Sequence, residues 1–516
     1  MGKSWRLFLL VCAIAAAVSA QQQPQPPSER PFIEPAEHRH GVRSARLRVK
    51  PAGVDKSGWW ITLPVMMPIN PVHLALMRNG KVLVISGSGN DPDNHVLTAG
   101  VFDPPAQTIT TFNIEWDMFC NGMVILPDGR PFVLGGTIRY DNWLGEFHTA
   151  FFDPDSGKFT NGPNMDGGRW YPTGTVLGDG SVMVISGLNQ TVQIYKAETN
   201  SWTPAGIAFP RVPLYPRQHV LPDGMVFESG ANPDTKLWDP VKHTWTNMPK
   251  TKTKFGKPRD YGSSVLLPLT PENKFKAKVL ILGGGRGTDT GIVDVTDTTE
   301  TLDFADANPV WTFGPKMIAP RVQVNATLLP NGKVLISGGS TVDEKPSTGV
   351  LGAELYDPAT NTLAPAGKME FPRVYHSNTL LLPDATVLAA GGNPERTVYE
   401  PHIEIYQPPY LFKANGDPAP RPAMSAVGDH IPYGGTFTVS SASAASIRSV
   451  VLIRAGAVTH AFDMDQRLVG MSFSASGDTL TIQAPADGNI APPGWYLLFV
   501  VDASGAPSVG QFVRVG

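Results

Sequence analysis

One feature limits the fold of this chain more than any other: a segment that recurs seven times. Each unit is an apolar strand, a tight turn such as Leu-Pro-Asp-Gly, a second strand ending in Gly or Gly-Gly, and then an aromatic-Asp-Pro segment. It reads NGKVLVISG at Asn79, PDGRPFVLGG at Pro127, GDGSVMVISG at Gly178 and PDGMVFESG at Pro222. It continues as KVLILGGG at Lys278, NGKVLISGG at Asn331 and PDATVLAAGG at Pro383. The strand-ending glycines Gly87, Gly135, Gly187, Gly230, Gly283, Gly338 and Gly391 are spaced by 43 to 55 residues, the period of kelch-type propeller blades. Asp-Gly and Asn-Gly supply the positive φ a tight hairpin needs, and the Val/Ile/Leu runs suit strands buried on both faces. These units predict an all-β chain with a seven-bladed kelch-type β-propeller over residues 57–408. GGGRG at Gly283 resembles a nucleotide loop, but it closes a strand and no helical pattern follows.

The pattern stops after Pro408-Pro409-Tyr410. Alternating strands at Thr436 to Val439, Val450 to Ile453, Leu480 to Ile482 and Trp495 to Val500 predict an immunoglobulin-like β-sandwich over residues 409–516. At the other end, Lys3 and Arg6 precede an apolar run closed by Val18-Ser19-Ala20, the form of a secretory signal peptide over residues 1–20. The Gln/Pro-rich stretch that follows, within residues 21–56, reads as a disordered leader, and His38 and His40 in it as solvated rather than metal-binding. No other segment is apolar for long enough to span a bilayer. A secreted, extracellular or periplasmic chain acting as a monomer is the expectation.

Charge and cysteine narrow the function. The formal net charge is −3, and removal of Lys3 and Arg6 makes it −5, which disfavours a nucleic-acid partner. Of two cysteines, Cys12 lies in the signal segment, leaving Cys120 without an intramolecular partner. Such a thiol in an oxidising compartment is deeply buried, paired between chains, or chemically committed. Asn189 and Asn325 open Asn-X-Thr triplets, weak glycosylation signals.

Aligning the units on the Leu that opens each turn (Met77 in the first) and stepping back six residues gives Pro71, Cys120, Tyr171, Tyr215, Tyr261, Gln323 and His376. Equivalent blade positions lie on a ring around the central channel, so one channel mouth should carry a thiol, several phenols and an imidazole, with Tyr375 beside His376. Tyrosines alone could merely fill space and hydrogen-bond at their tips. Cys120, Tyr171, Tyr375 and His376 together point to redox or metal chemistry.

FCNG around Cys120, RWYPT around Tyr171, RVYHS around Tyr375-His376 and the C-terminal VVLIRAGAVTHAFDMDQR with His460 resemble the copper-radical oxidases, the glyoxal oxidase and galactose oxidase family. The RWY form is nearer glyoxal oxidase. The resemblance runs from about Trp59 to the end of the chain. It implies one copper ion held by Tyr171, His376 and His460 with Tyr375 as axial ligand, and a thioether joining Cys120 to the ring of Tyr171. His460 would enter from a loop spanning Ala455 to Gln466 in the second domain. It further implies oxidation of small aldehydes such as glyoxal, methylglyoxal or glycolaldehyde to acids, with O2 reduced to hydrogen peroxide and Tyr375 as general base.

The chain departs from galactose oxidase-like members at Ile185 to Gln193, where it has Leu188 and Asn189 and no Trp to shield the radical; Trp170 or Trp143 could substitute, or Trp170 could only pack. Primary-alcohol oxidation at the same site is the nearest alternative. A kelch scaffold binding protein or glycan and a non-haem iron site on the same histidines are the others.

Overall fold

The computed structural model describes residues 50–252, 258–288, 291–425 and 428–516. The expected signal segment and most of the leader lie outside them. Among the described residues there is one short helical turn, Val54–Ser57, three 3-10 turns and otherwise strands. Among these described residues no helix is long and apolar enough to cross a membrane.

Among the described residues, seven antiparallel sheets succeed one another, six of four strands and one, that of His73–Leu76, of six. Their first strands are His73–Leu76, Gly122–Ile125, Pro172–Val176, Gln218–Val220, Ser263–Leu266, Asn325–Leu328 and Asn378–Leu381. All seven are buried along their length, whereas last strands such as Thr108–Asn113 and Lys158–Asn161 are largely exposed. The buried strands pack side by side from Gln218–Val220 round to Ser263–Leu266. The last junction is bridged where His219 Nε2 meets Ser264 Oγ at 2.7 Å. The strand Trp59–Met66 pairs with His402–Gln407, Trp60 opposite Tyr406, so the start of the described chain completes the final sheet. This joins the two ends of the ring through main-chain hydrogen bonds.

The turns explain themselves locally. Gly129, Gly180 and Gly224 take φ of 91°, 84° and 86°, and the preceding Asp side chain accepts a backbone N–H two residues on, as Asp128 does from Arg130 at 3.0 Å. Just before the first strand of several sheets a buried cation recurs, bonded to the third strand of the same sheet. Arg259 donates to Glu300 at 2.7 Å, Arg321 to Glu354 and Arg373 to Glu404 both at 2.8 Å, and Arg169 to Gln193 at 3.2 Å. Arg169, Arg259 and Arg321 sit two residues before their ring residues. Arg373 sits three before His376.

The C-terminal part is a two-sheet sandwich. One sheet orders His430–Ile431, Gln511–Val515, Gly494–Asp502, Ile447–Arg454 and Leu468–Met471; the other orders Thr436–Ser440, Thr479–Gln483 and Phe473–Ser476. The four strands expected from sequence are present but longer. One pair, His430–Ile431 with Gln511–Val515, is parallel rather than antiparallel. Asn325 is buried within a strand, which rules out its triplet as a glycosylation acceptor.

Candidate metal centre

The ring positions share an unusual backbone. Cys120, Tyr171, Tyr215, Tyr261, Gln323 and His376 have φ of 60°, 66°, 43°, 57°, 59° and 61°. Bulky residues avoid this left-handed region, and it persists only where surroundings enforce it. Here neighbouring units bond to one another: Tyr171 N–H donates to Cys120 O at 3.0 Å, Tyr215 N–H to Tyr171 O at 2.9 Å, and Gln323 N–H to Tyr261 O at 2.7 Å. The kink turns these side chains toward one mouth just before each buried strand begins. In the last unit, the extra residue after Arg373 adds Tyr375 to His376, so one segment delivers two side chains.

His460 does not sit in an unstructured loop. Ala457–Thr459 and Phe462–Asp463 form a hairpin whose first strand pairs with His73–Leu76, Thr459 opposite His73. His460 and Ala461 make its tip, with φ of 49° and 63°. The hairpin base is locked to several inner strands. Asp465 accepts from Ile125 N–H at 2.6 Å, Arg454 donates to Ile125 O at 2.7 Å, Gln466 to Ala326 O at 2.9 Å, and Arg467 to Val220 O at 2.8 Å.

These elements bring Cys120 Sγ and one nitrogen each of His376 and His460 within 4.8 Å of one another, all three residues buried. The two imidazole planes stand at 87° with centroids 4.5 Å apart. Tyr171 and Tyr375 are hydrogen-bonded through their hydroxyls. Tyr171 lies 4.5 Å from His460, and Tyr375 3.7 Å from His376, centroid to centroid. All five residues expected at the site therefore converge.

The tautomers can be assigned from partners. Asn90 Nδ2 donates to Asn393 Oδ1 at 2.7 Å, so that oxygen is an acceptor and His376 Nδ1, also 2.7 Å away, must carry the proton. Thr459 Oγ1 donates to Val72 O at 3.0 Å and so accepts from His460 Nδ1 at 2.6 Å. Both Nε2 atoms are left with lone pairs, buried and unpartnered. Burial pushes the His376 imidazolium down to about 3, and burial with neighbouring His376 and His73 pushes His460 well below its ordinary value. Burial raises the Cys120 thiol and the Tyr375 phenol well above theirs, Cys120 adding to the effect on Tyr375. Two neutral imidazoles with free Nε2, flanked by phenol oxygens and a thiol, form a nitrogen- and oxygen-rich donor set suited to Cu(II), whose binding would displace the phenolic protons.

Sequence reasoning missed Asn393, Asn90 and Thr459, which orient the imidazoles; isolated polar residues carry no periodic signature. It also missed His73, fully buried with both ring nitrogens unpartnered and its centroid 6.2 Å from that of His460. Trp170 stacks on Tyr171 at 4.0 Å and 19°, while Leu188 is exposed.

The comparisons agree with this geometry. A model of the glyoxal oxidase N-terminus matches residues 88–410, and one of the galactose oxidase-like early set domain matches residues 421–515. The chain is 29% identical over 500 residues to a WSC domain-containing protein of Arthroderma benhamiae, covering 86% of this chain but only 51% of that protein. It is 27% identical to a galactose oxidase of Gibberella zeae over 87% of this chain and 69% of the relative. Against the aldehyde oxidase GLOX of Vitis pseudoreticulata it is 28% identical, over 89% and 98%. A solved fungal alcohol oxidase in complex with copper superposes with a TM-score of 0.76 at 26% identity, over 89% of this chain and 99% of that one. Fold, donor set and relatives define the class of copper-dependent oxidases. Within it, the chain belongs to the glyoxal oxidase and galactose oxidase family of copper-radical oxidases.

Proposed function

We propose that this protein oxidises small aldehydes, as their hydrates, to carboxylic acids while O2 is reduced to hydrogen peroxide. Each turnover converts RCH(OH)2 and O2 to RCOOH and H2O2. The observation that carries the reading is the meeting of two buried, unprotonated imidazole nitrogens with the Tyr171–Tyr375 hydroxyl pair and the Cys120 sulfur. His376 Nε2, His460 Nε2 and the phenol oxygens of Tyr171 and Tyr375 would hold one copper ion. When bound, that ion supplies one-electron redox chemistry and Lewis acidity.

The remaining work falls to side chains. Cys120, bonded through sulfur to the Tyr171 ring, would make that ring easier to oxidise, and the ring would store the second oxidising equivalent. The Tyr171 oxygen would take the hydrogen atom from substrate carbon. Tyr375, freed of its proton, would accept the substrate hydroxyl proton as general base. Buried, stacked aromatic rings would keep water from the oxidised phenol. The signal-like Met1 to Ala20 segment supports a secreted enzyme meeting O2 and diffusible substrates.

Primary-alcohol oxidation at the same centre is the second reading, favoured by the likeness to galactose oxidase and to the copper-bound alcohol oxidase. A peroxide-coupled assay of the copper-loaded protein over glyoxal, methylglyoxal, glycolaldehyde, galactose and simple primary alcohols decides between them. Aldehyde-dependent peroxide is the expected result; peroxide with none of these substrates would defeat both.

A further inference from the structure

Tyr171 belongs to a run of near-parallel rings. On its inner side Tyr215 stacks at 4.5 Å and 23°, and its hydroxyl ends on Asn121 O, a closed end inside the protein. On the other side Trp170 stacks at 4.0 Å and 19°, and Trp143 stacks on Trp170 at 4.2 Å and 15°. Trp143 is half-buried between exposed Asp141, Asn142 and Leu144. Beyond it lie Arg396 and Asp141, with side chains 42% and 75% exposed. The rings thus form an unbroken stack from the metal centre to solvent, all of it oxidisable. The Arg396 guanidinium sits 6.0 Å from the Trp143 centroid, where a lone cation would oppose loss of an electron from the ring. Asp141 pairs with it at 2.8 Å and offsets that field. Packing alone would be served by any large apolar side chain. Three stacked indole and phenol rings ending at the surface serve electron transfer.

We propose that Trp170 and Trp143 are an electron relay through which a soluble one-electron oxidant, touching the protein at Trp143, oxidises Tyr171. The inference rests on the reading of Tyr171 as the redox-active ring. The Tyr171 phenol loses one electron through Trp170 and Trp143 to the oxidant, which is reduced by one electron. Any phenolic proton leaves along the Tyr171–Tyr375 hydroxyl pair to solvent. The relay gives the centre an oxidising input that does not compete with substrate for the channel mouth.

The test uses the copper-loaded full chain with Tyr171 unoxidised, mixed with hexacyanoferrate(III), an outer-sphere oxidant too large to enter the buried centre. The rate and total of oxidant consumed are read by stopped-flow absorbance. Trp143→Phe keeps a stacked ring but removes an oxidisable one; its rate should fall by about tenfold with the total unchanged. Trp143→Tyr should recover most of the rate. A Trp143→Phe rate equal to wild type, or equal slowing in both variants, overturns the relay while leaving Tyr171 as the redox centre. Equal oxidant consumption by Tyr171→Phe and wild type removes that reading of Tyr171, and the relay with it.

Discussion

Nδ1 of His376 faces Oδ1 of Asn393 at 2.7 Å, and the amide is held so that only its oxygen can face the ring. Its Nδ2 donates to Glu395 O at 2.6 Å and to Val398 O, while Asn90 donates to its oxygen. A loop amide thereby keeps the free lone pair of His376 on Nε2, aimed at the centre. Asn393→Ala should lower copper affinity by about 10- to 100-fold without unfolding the protein, as removal of partners that orient metal-binding imidazoles does. Titration with a competing chelator measures it; unchanged affinity would show that His376 is oriented by something else.

Tyr375 differs from the histidines because its proposed work is proton transfer. Its side chain is partly buried, and desolvation pushes its ionisation well up, so without a metal it stays protonated. Tyr375→Phe should retain copper but reduce kcat by about 10²- to 10⁴-fold, the usual contribution of a positioned general base. Full turnover in that variant would remove Tyr375 from the mechanism.

Cys120 is buried and unpaired, and its backbone carbonyl accepts the Tyr171 amide. If sulfur bonds to the ring, one S–H and one ring C–H are lost with two electrons passing to O2. The intact mass after copper and O2 exposure should then drop by two hydrogens, and Cys120 should resist alkylation in denaturant. A fully alkylated Cys120 in active enzyme contradicts the cross-link.

Much of this arrangement was legible in sequence because repetition fixes register. The Asp-Gly turns and strand-ending glycines recur often enough to align the units, and six residues before each opening Leu lie Cys120, Tyr171 and His376, side chains the fold turns to one mouth. The hairpin carrying His460 reads as a loop because its strands are only three and two residues long, and only the first of them is held in a larger sheet, by pairing with His73–Leu76. Such pairing across nearly 400 residues has no local signature. The buried Arg–Glu pairs did leave one, Arg two or three residues before the ring position and an acid on the third strand of the same sheet. It becomes visible once the repeats are aligned.

His219 makes a pH prediction remote from the centre. It is buried against Ser264, and burial with the Arg467 and Arg217 charges lowers it to about 3. Between its ordinary value near 6.5 and about 3, the unfolded chain binds a proton that the folded chain refuses, so stability falls on acidification. The loss should approach about 1.4 kcal/mol per pH unit from this residue alone. Denaturant unfolding between pH 7 and pH 4 should show a shallower decline for His219→Gln than for wild type. Parallel declines would mean that His219 gains water and charge without unfolding.

Asp465 ties the second domain to the centre. Its carboxylate receives Arg454 at 3.0 Å and Ile125 N–H at 2.6 Å, five residues from His460, with both partner side chains almost fully buried. Removing one member of such a pair leaves a buried charge uncompensated, at a cost of about 3–5 kcal/mol. Asp465→Ala should therefore destabilise the protein by that order and also weaken copper binding, since the hairpin that carries His460 loses its bond to Ile125. Asp465→Asn keeps an acceptor oxygen for Ile125 N–H, so its loss of copper affinity should be smaller than that of the alanine variant. Copper titration and unfolding of both variants separate the two effects. If both lose stability but bind copper as wild type does, His460 is held by its pairing with His73–Leu76 alone.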